Sequence, residues 1–207
     1  MLLSKPQLAA MLLRAAALWR EHQALLSDID SRFGDGDHGV TIGKIANLID
    51  SSVAGWDGQP VGEFLAALGD GIMAIGGGSA GPLYGTLIGS LAGPLDGAAA
   101  IDATMLKAML RESRDGLFAI TKARTGDKTM MDALIPAVDA AVAAEDDFGL
   151  ILAAAARAAA AGAEATEGLV SRFGRARSYG DKTLGTRDAG ACSTALFFQG
   201  LSEGFSA

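Results

Sequence analysis

Apolar side chains recur at helical spacing along nearly the whole of this 207-residue chain, and no run alternates polar with apolar residues over strand length. β-Branched residues are sparse. A helix with one apolar stripe must bury it against another helix, so such a chain folds as an all-α bundle. The periodicity predicts eight helices, at about 5–25, 39–54, 60–75, 79–93, 102–122, 128–144, 147–172 and 189–204. The punctuation agrees. The Gly55 to Gly58 stretch and Gly93-Pro94 break helices, and Asp102, Asp127 and Asp188 stand where an N-cap is needed. Pro136 is expected to kink the sixth helix or loosen its first half. The alanine run from Ala153 to Ala163, broken by Arg157 and Gly162, reads as closely packed scaffold. No linker divides the chain, and 50% hydrophobic content is enough for one core, so residues 1–207 read as a single domain.

One segment has the length of a membrane span. Gly71 to Leu95 carries no charge over 25 residues, with glycines at 77, 81, 85, 89 and 93. It holds few large apolar groups and two prolines, Pro82 and Pro94. We read it as a glycine ridge on a buried helix that lets a neighbouring backbone approach. The N-terminus does not read as a signal peptide, because Lys5, Arg14 and Arg20 interrupt its apolar residues. A net charge of −7 and a pI near 4.8 argue against nucleic acid as a partner. The single cysteine, Cys192, forms no internal disulfide, which fits a reducing cytoplasm, and it reads as a small buried helix residue.

Four aspartates fall within ten residues, Asp28, Asp30, Asp35 and Asp37, interspersed with Gly34 and Gly36 and followed by His38 and Gly39. Such carboxylates repel one another unless a cation neutralises them. Oxygen ligands without cysteine suit Mg²⁺, Mn²⁺ or Ca²⁺ better than Zn²⁺. An EF-hand is excluded: counting from Asp28, Phe33 stands where glycine is required and Gly39 where glutamate is required. A phosphatase-type nucleophile would need an apolar strand before the aspartates, and Ala17 to Leu26 repeats at helical spacing instead. What remains is a loop that ends one helix, gathers carboxylates and opens another near His38. Mg²⁺ prefers a few carboxylates plus substrate phosphates, and a helix N-terminus offers N–H groups to those phosphates. The residues therefore read as a metal–polyphosphate site.

Gly76, Gly77, Gly78 and Ser79 form a second glycine-rich turn opening into a helix, a phosphate cradle in type, although no Walker A motif occurs. Gly-Asp-Lys-Thr occurs twice, at 126–129 and 180–183, too short a match to indicate duplication. His38, between Asp37 and Gly39, reads as functional by position. His22 reads as surface or packing, and Met130 and Met131 as core filler at a helix start.

Taken together, these motifs resemble the nucleotide-binding L subunit of dihydroxyacetone kinases. The matching stretches run from Asp28 to Gly39, from Gly77 to Gly85, from Gly126 to Met130 with Asp132 and Pro136, and from Gly174 through Gly185 to Gly190. The resemblance implies an up-and-down barrel of eight antiparallel helices with nucleotide held at one end by interhelical loops. It implies Asp30, Asp35 and Asp37 as ligands to two Mg²⁺ ions that bridge the phosphates of ADP or ATP. It implies nucleotide contacts from His38, Gly39 and Thr41, from Ser79 and Ala80, from Thr121, from Met130 against the base, and from Arg175, Asp188 and Gly190. Asp28 carries no ligand role. The chain departs from the family pattern in the order Ser79-Ala80, at Thr121 and Ala189, and over residues 177–183, which match loosely.

The resemblance also implies a division of labour. Phosphoryl transfer needs positioning and charge neutralisation more than covalent help from the protein, and the chain offers no dedicated general base. In the family the ketose is held by a separate K subunit, so dihydroxyacetone or a tetrulose would be selected there. Two donors fit: free ATP that exchanges, or bound ADP recharged by a phosphohistidine subunit of a phosphotransferase system. A different class also fits the barrel, a non-catalytic nucleotide or lipid carrier. The expected protein is cytoplasmic, needs no membrane, and is a monomer or homodimer.

Overall fold

The computed structural model describes residues 2–95 and 100–206. It is all-α, and among the described residues the one strand-like pairing is an isolated bridge between Leu3 and Ile101. Helix α1 (Lys5–Glu21) opens on a capping box. The Ser4 hydroxyl accepts from the Gln7 N–H, and the Gln7 side chain returns to the Ser4 N–H. The first expected helix is in fact two, because α2 (Gln23–Ser31) begins after a break at His22. There the His22 N–H and its ring Nδ1 both address the Leu18 carbonyl, at 3.1 and 2.9 Å.

Then follow α3 (His38–Ala54), α4 (Val61–Met73), α5 (Ala80–Gly89) with a 3-10 extension over Ser90–Leu95, α6 (Ala103–Ile120), α7 (Met131–Ala143), α8 (Phe148–Ala165) and α9 (Ala189–Phe205). Asp102 and Asp188 cap α6 and α9 as expected, accepting from Met105 and Ala191 N–H groups, and Asp147 caps α8 in the same way. Asp127 does not cap α7. Its carboxylate accepts from the Arg124 N–H and closes the preceding turn.

The expectation of a helix over 147–172 fails after Ala165. Thr166 turns its hydroxyl onto the Ala163 carbonyl (2.6 Å) and accepts the Asp188 N–H (2.9 Å), which draws the chain into a short 3-10 turn. Pro136 was expected to kink or loosen its helix, but α7 runs unbroken through it. Proline removes the hydrogen bond to the carbonyl four residues earlier, that of Asp132. That carbonyl lies against Gly162 of α8, where a Cβ would collide with it and stand 3.1 Å from Ala133 Cα. The glycine in the alanine run therefore lets α7 and α8 touch backbone to backbone.

Helix α2 packs on α3, α4 on α5, α7 on α8 and α8 on α9, and α9 closes the ring against α1. The uncharged Gly71–Leu95 segment is divided between the end of α4, a turn and α5. Gly85 and Gly89 form the expected close approach to a neighbouring backbone, whereas Gly77 lies in the turn before α5 and Gly93 in the 3-10 extension against the Glu112 side chain. A Cβ on Gly69 would stand 2.5 Å from Gly89 Cα and 2.8 Å from the Gly85 oxygen. Trp19, Tyr84, Phe148, Phe197 and Leu134 fill the interior. One helical stretch among the described residues, Phe148–Gly168, is long and apolar enough to cross a membrane; here it packs along α7 and α9. Because the helices alternate in direction, the α2–α3, α4–α5, α6–α7 and α8–α9 connections gather at one end.

Candidate functional site

Those four connections enclose a cavity of about 500 Å³. The acidic cluster forms one wall. It is less of a loop than expected: Asp28 and Asp30 lie on the last turns of α2, and only Asp35 and Asp37 lie in the connection. Asp30, Asp35 and Asp37 each offer one carboxylate oxygen, all within 4.8 Å of one another. Gly34 makes room for them, since a Cβ there would stand 2.9 Å from Asp30 Cγ, and Gly36 supplies a left-handed turn at φ +76°. Asp28 is turned outward and pairs with Arg32 at 3.6 Å.

Electrostatics mark the cluster as short of positive charge. Partial desolvation and then the charges of Asp35 and Asp30 push the Asp37 carboxyl above its ordinary pKa. Asp35 moves the other way. Desolvation opposes its charge, but the Arg175 guanidinium and local N–H groups outweigh that and hold it below the usual range. Three converging hard oxygens with this repulsion fit a divalent cation of the Mg²⁺ type.

His38 opens α3 beside the cluster. Its Nε2 lies 2.8 Å from Ser193 Oγ, and burial lowers its pKa against the pull of Asp30. Ser193 is in turn 2.6 Å from the Tyr84 hydroxyl, and its carbonyl accepts the Trp19 indole N–H at 2.7 Å. The imidazole is thus braced from α9, α5 and α1. Ser193 gave no sequence signal, since a lone serine in an apolar helix reads as packing.

Ser79 and Ala80 stand at the start of α5 and line the cavity with Gly77 and Gly78, whose φ values are +135° and +53°. The N-termini of α3 and α5 therefore open onto the same space. Thr121, Met130, Arg175, Asp188 and Gly190 line it as well. Gly39 and Thr41 do not. The missing Cβ of Gly39 lets α2 approach, with Ser27 N 2.9 Å from where a Cβ would stand, and Thr41 is buried behind Gly77. Asp188 is half-buried on the cavity wall, and desolvation pushes its carboxyl up to about 7. Lys128 also lines the cavity and is buried; in the sequence it figured only as a member of the Gly126 to Met130 stretch and its repeated tetrapeptide, with no role of its own.

The profile of the DAK2 domain family matches residues 32–203. The chain belongs to the DAK2 domain family. Among family relatives, it is 28% identical to the ADP-binding subunit DhaL of the PEP-dependent dihydroxyacetone kinase of Escherichia coli (strain K12), over 98% of each chain. It is 35% identical to a D-erythrulose kinase of Mycolicibacterium smegmatis, over 83% of this chain and 30% of that one. The dihydroxyacetone kinase of C. freundii, solved in complex with AMP-PNP and Mg²⁺, superposes with a TM-score of 0.73 at 27% identity, over 98% of this chain and 34% of that one. The chain thus spans about a third of the length of the latter two kinases.

Proposed function

We propose that this chain is the nucleotide-binding, phosphate-passing unit of a short-ketose kinase, with residues 1–207 acting as one L-type domain. The observation that carries the reading is convergence. Three carboxylates and the N-termini of α3 and α5 face one cavity of about 500 Å³, large enough for a nucleoside diphosphate. Asp30, Asp35 and Asp37 would hold two Mg²⁺ ions, and bound cations would supply charge neutralisation at the transferring phosphate. Ser79 and Ala80 would offer main-chain N–H groups to phosphate oxygens. His38, kept neutral by burial and oriented by Ser193, would donate or accept one hydrogen bond without adding charge. Met130 would pack on the base, with Thr121 and Gly190 beside it, while Arg175 and Asp188 line the closing side. Gly39 and Thr41 would support this wall from behind.

The acceptor would be dihydroxyacetone or a tetrulose held on a separate K subunit, in keeping with the ketose kinases among the relatives. Bound ADP recharged by a phosphohistidine partner is favoured by likeness to the PEP-dependent E. coli subunit over nearly the whole of both chains. Exchange of free ATP is the alternative, favoured by likeness to the C. freundii kinase solved with AMP-PNP and Mg²⁺. A carrier of apolar cargo is disfavoured, because Trp19, Tyr84 and Phe197 fill the barrel interior. The protein would work in the cytoplasm, as a monomer or homodimer.

Mg·ADP should raise the melting temperature of the chain, by an amount equivalent to about 2.7 kcal/mol at a hundredfold excess over Kd. The isolated chain should not phosphorylate dihydroxyacetone or a tetrulose, and a matching K subunit with either donor should restore turnover. No melting shift with either Mg·ADP or Mg·ATP, in protein shown by mass spectrometry to carry no nucleotide, would sink the reading.

A further inference from the structure

Lys128 is a lysine in a glycine-containing turn beside a cavity suited to polyphosphate, yet its ammonium is committed elsewhere. It donates to the main-chain carbonyls of Leu169 (3.0 Å), Thr183 (2.5 Å) and Thr186 (2.6 Å). An ammonium has three N–H donors and no acceptor, so these carbonyls leave none free for a ligand. The side chain is only 4% exposed. Its backbone is left-handed, at φ +59°, a conformation uncommon for any residue with a side chain and kept only where the surroundings fix it. They do so here. The Asp132 carboxylate accepts the Gly126 and Thr129 N–H groups, at 2.6 and 2.7 Å, and pins the turn on both sides of Lys128.

The three carbonyls all belong to the segment that joins α8 to α9, residues 166–188. This strap carries Phe173, Gly174, Arg175 and Ala176 along the cavity wall and ends at Asp188. Apolar burial does little to hold it, since Phe173, Tyr179 and Leu184 are exposed. Its internal ties run from the Ser171 N–H to Thr183 Oγ1 and from the Gly185 N–H to the Glu167 carbonyl. From the α6–α7 turn, the Asp127 carbonyl accepts the Arg172 N–H, and Lys128 reaches both halves of the strap at once.

We propose that Lys128 is a positioning residue: its ammonium gathers both halves of the strap onto the α6–α7 turn and so sets where Arg175 and Asp188 stand on the cavity wall. The bearing on nucleotide rests on the function proposed above; the hold on the strap does not. The rival role is that of a direct phosphate ligand.

Lys128→Met in the full chain separates the two. Without nucleotide, trypsin should cut after Arg172, Arg175, Arg177 and Lys182 about tenfold faster than in the parent, the scale of one lost charged hydrogen bond. Amide exchange should rise over 169–187 and stay unchanged in α1, α4 and α5. Mg·ADP affinity should fall about tenfold, while Mn²⁺ affinity at the aspartates should not fall, since these ligands lie off the strap and a displaced Arg175 only removes a competing charge. Lys128→Arg keeps the charge, but a planar guanidinium cannot aim three donors at three carbonyls around one point, so intermediate values are expected. If the methionine variant does not fold, the arginine variant carries the same measurements. An unaltered strap with weakened Mg·ADP binding would make Lys128 a phosphate ligand and overturn the proposal. So would loosening spread evenly over the barrel, or a loosened strap with unaltered Mg·ADP affinity. A parent protein that binds no Mg·ADP would refute the function above while the exchange data still tested the clamp.

Discussion

Arg175 on the strap and Asp35 in the acidic connection form an ion pair across the mouth of the cavity, and Tyr179 stands over Phe33 at 5.2 Å beside them. The guanidinium thus occupies part of the negative field that a cation would use. Arg175→Gln should therefore raise Mn²⁺ affinity without nucleotide by about two- to fivefold, the range for a half-exposed pair. The same change should weaken Mg·ADP binding. Spin-resonance titration of Mn²⁺ and calorimetry of Mg·ADP would check both, and an unchanged Mn²⁺ affinity would mean that arginine and metal do not compete.

Asp30→Asn, Asp35→Asn and Asp37→Asn should each weaken Mg²⁺-dependent ADP binding, because each removes a charged oxygen from a trio spanning no more than 4.8 Å. Asp28→Asn is the control, since Asp28 faces outward toward Arg32. Calorimetric titration with and without Mg²⁺ measures the difference. Equal affinity in all three variants would remove the cation from this wall.

Asp188 predicts a pH dependence. Burial raises its pKa from 3.8 to about 7, so the fold favours the neutral acid. A carboxyl raised above its unfolded value contributes stability that is full below the unfolded pKa and is lost as pH climbs through the folded one. Asp188→Asn keeps an N-cap on α9 but cannot ionise. The stability of the parent relative to this variant should fall between pH 4 and pH 8, by roughly a few kcal/mol, and flatten above. Denaturant melts of both proteins across that window provide the test, and a rising difference would contradict the assignment.

The glycine ridge predicts a steric penalty. Gly69→Ala should destabilise the barrel by about 1–3 kcal/mol, because both atoms its Cβ would meet first are backbone and cannot rotate away. Gly168→Ala meets nothing within 4 Å and should lie within about 0.5 kcal/mol of the parent. Urea unfolding compares the two.

The helical periodicity sufficed for the spans of the barrel because each helix buries one stripe against its neighbours. It could not reveal the break at His22, which depends on a ring competing for a single carbonyl. It carried Asp28 and Asp30 into a loop because clustered charge reads as solvated turn, whereas those residues finish a helix. Pro136 misled in a similar way: its cost is local, and a glycine 26 residues further on, Gly162, accommodates it. In the site, the residues carried by motifs line the cavity except Gly39 and Thr41. The bracing serine and the clamping lysine went unseen, because their roles are made by partners more than 40 residues away in sequence.

Ring closure between α1 and α9 has a practical consequence. Gly204 lies against Met11 and Gly200 against Ala15, so Phe205 ends level with Ala10, and Lys5 lies roughly 7 Å further along at the end of the barrel opposite the cavity. About 25 Å of α9 separates Phe205 from Asp188. A short linker from Phe205 to Lys5, with new ends cut at Gly58, would give a circular permutant whose cavity keeps every one of its four connections.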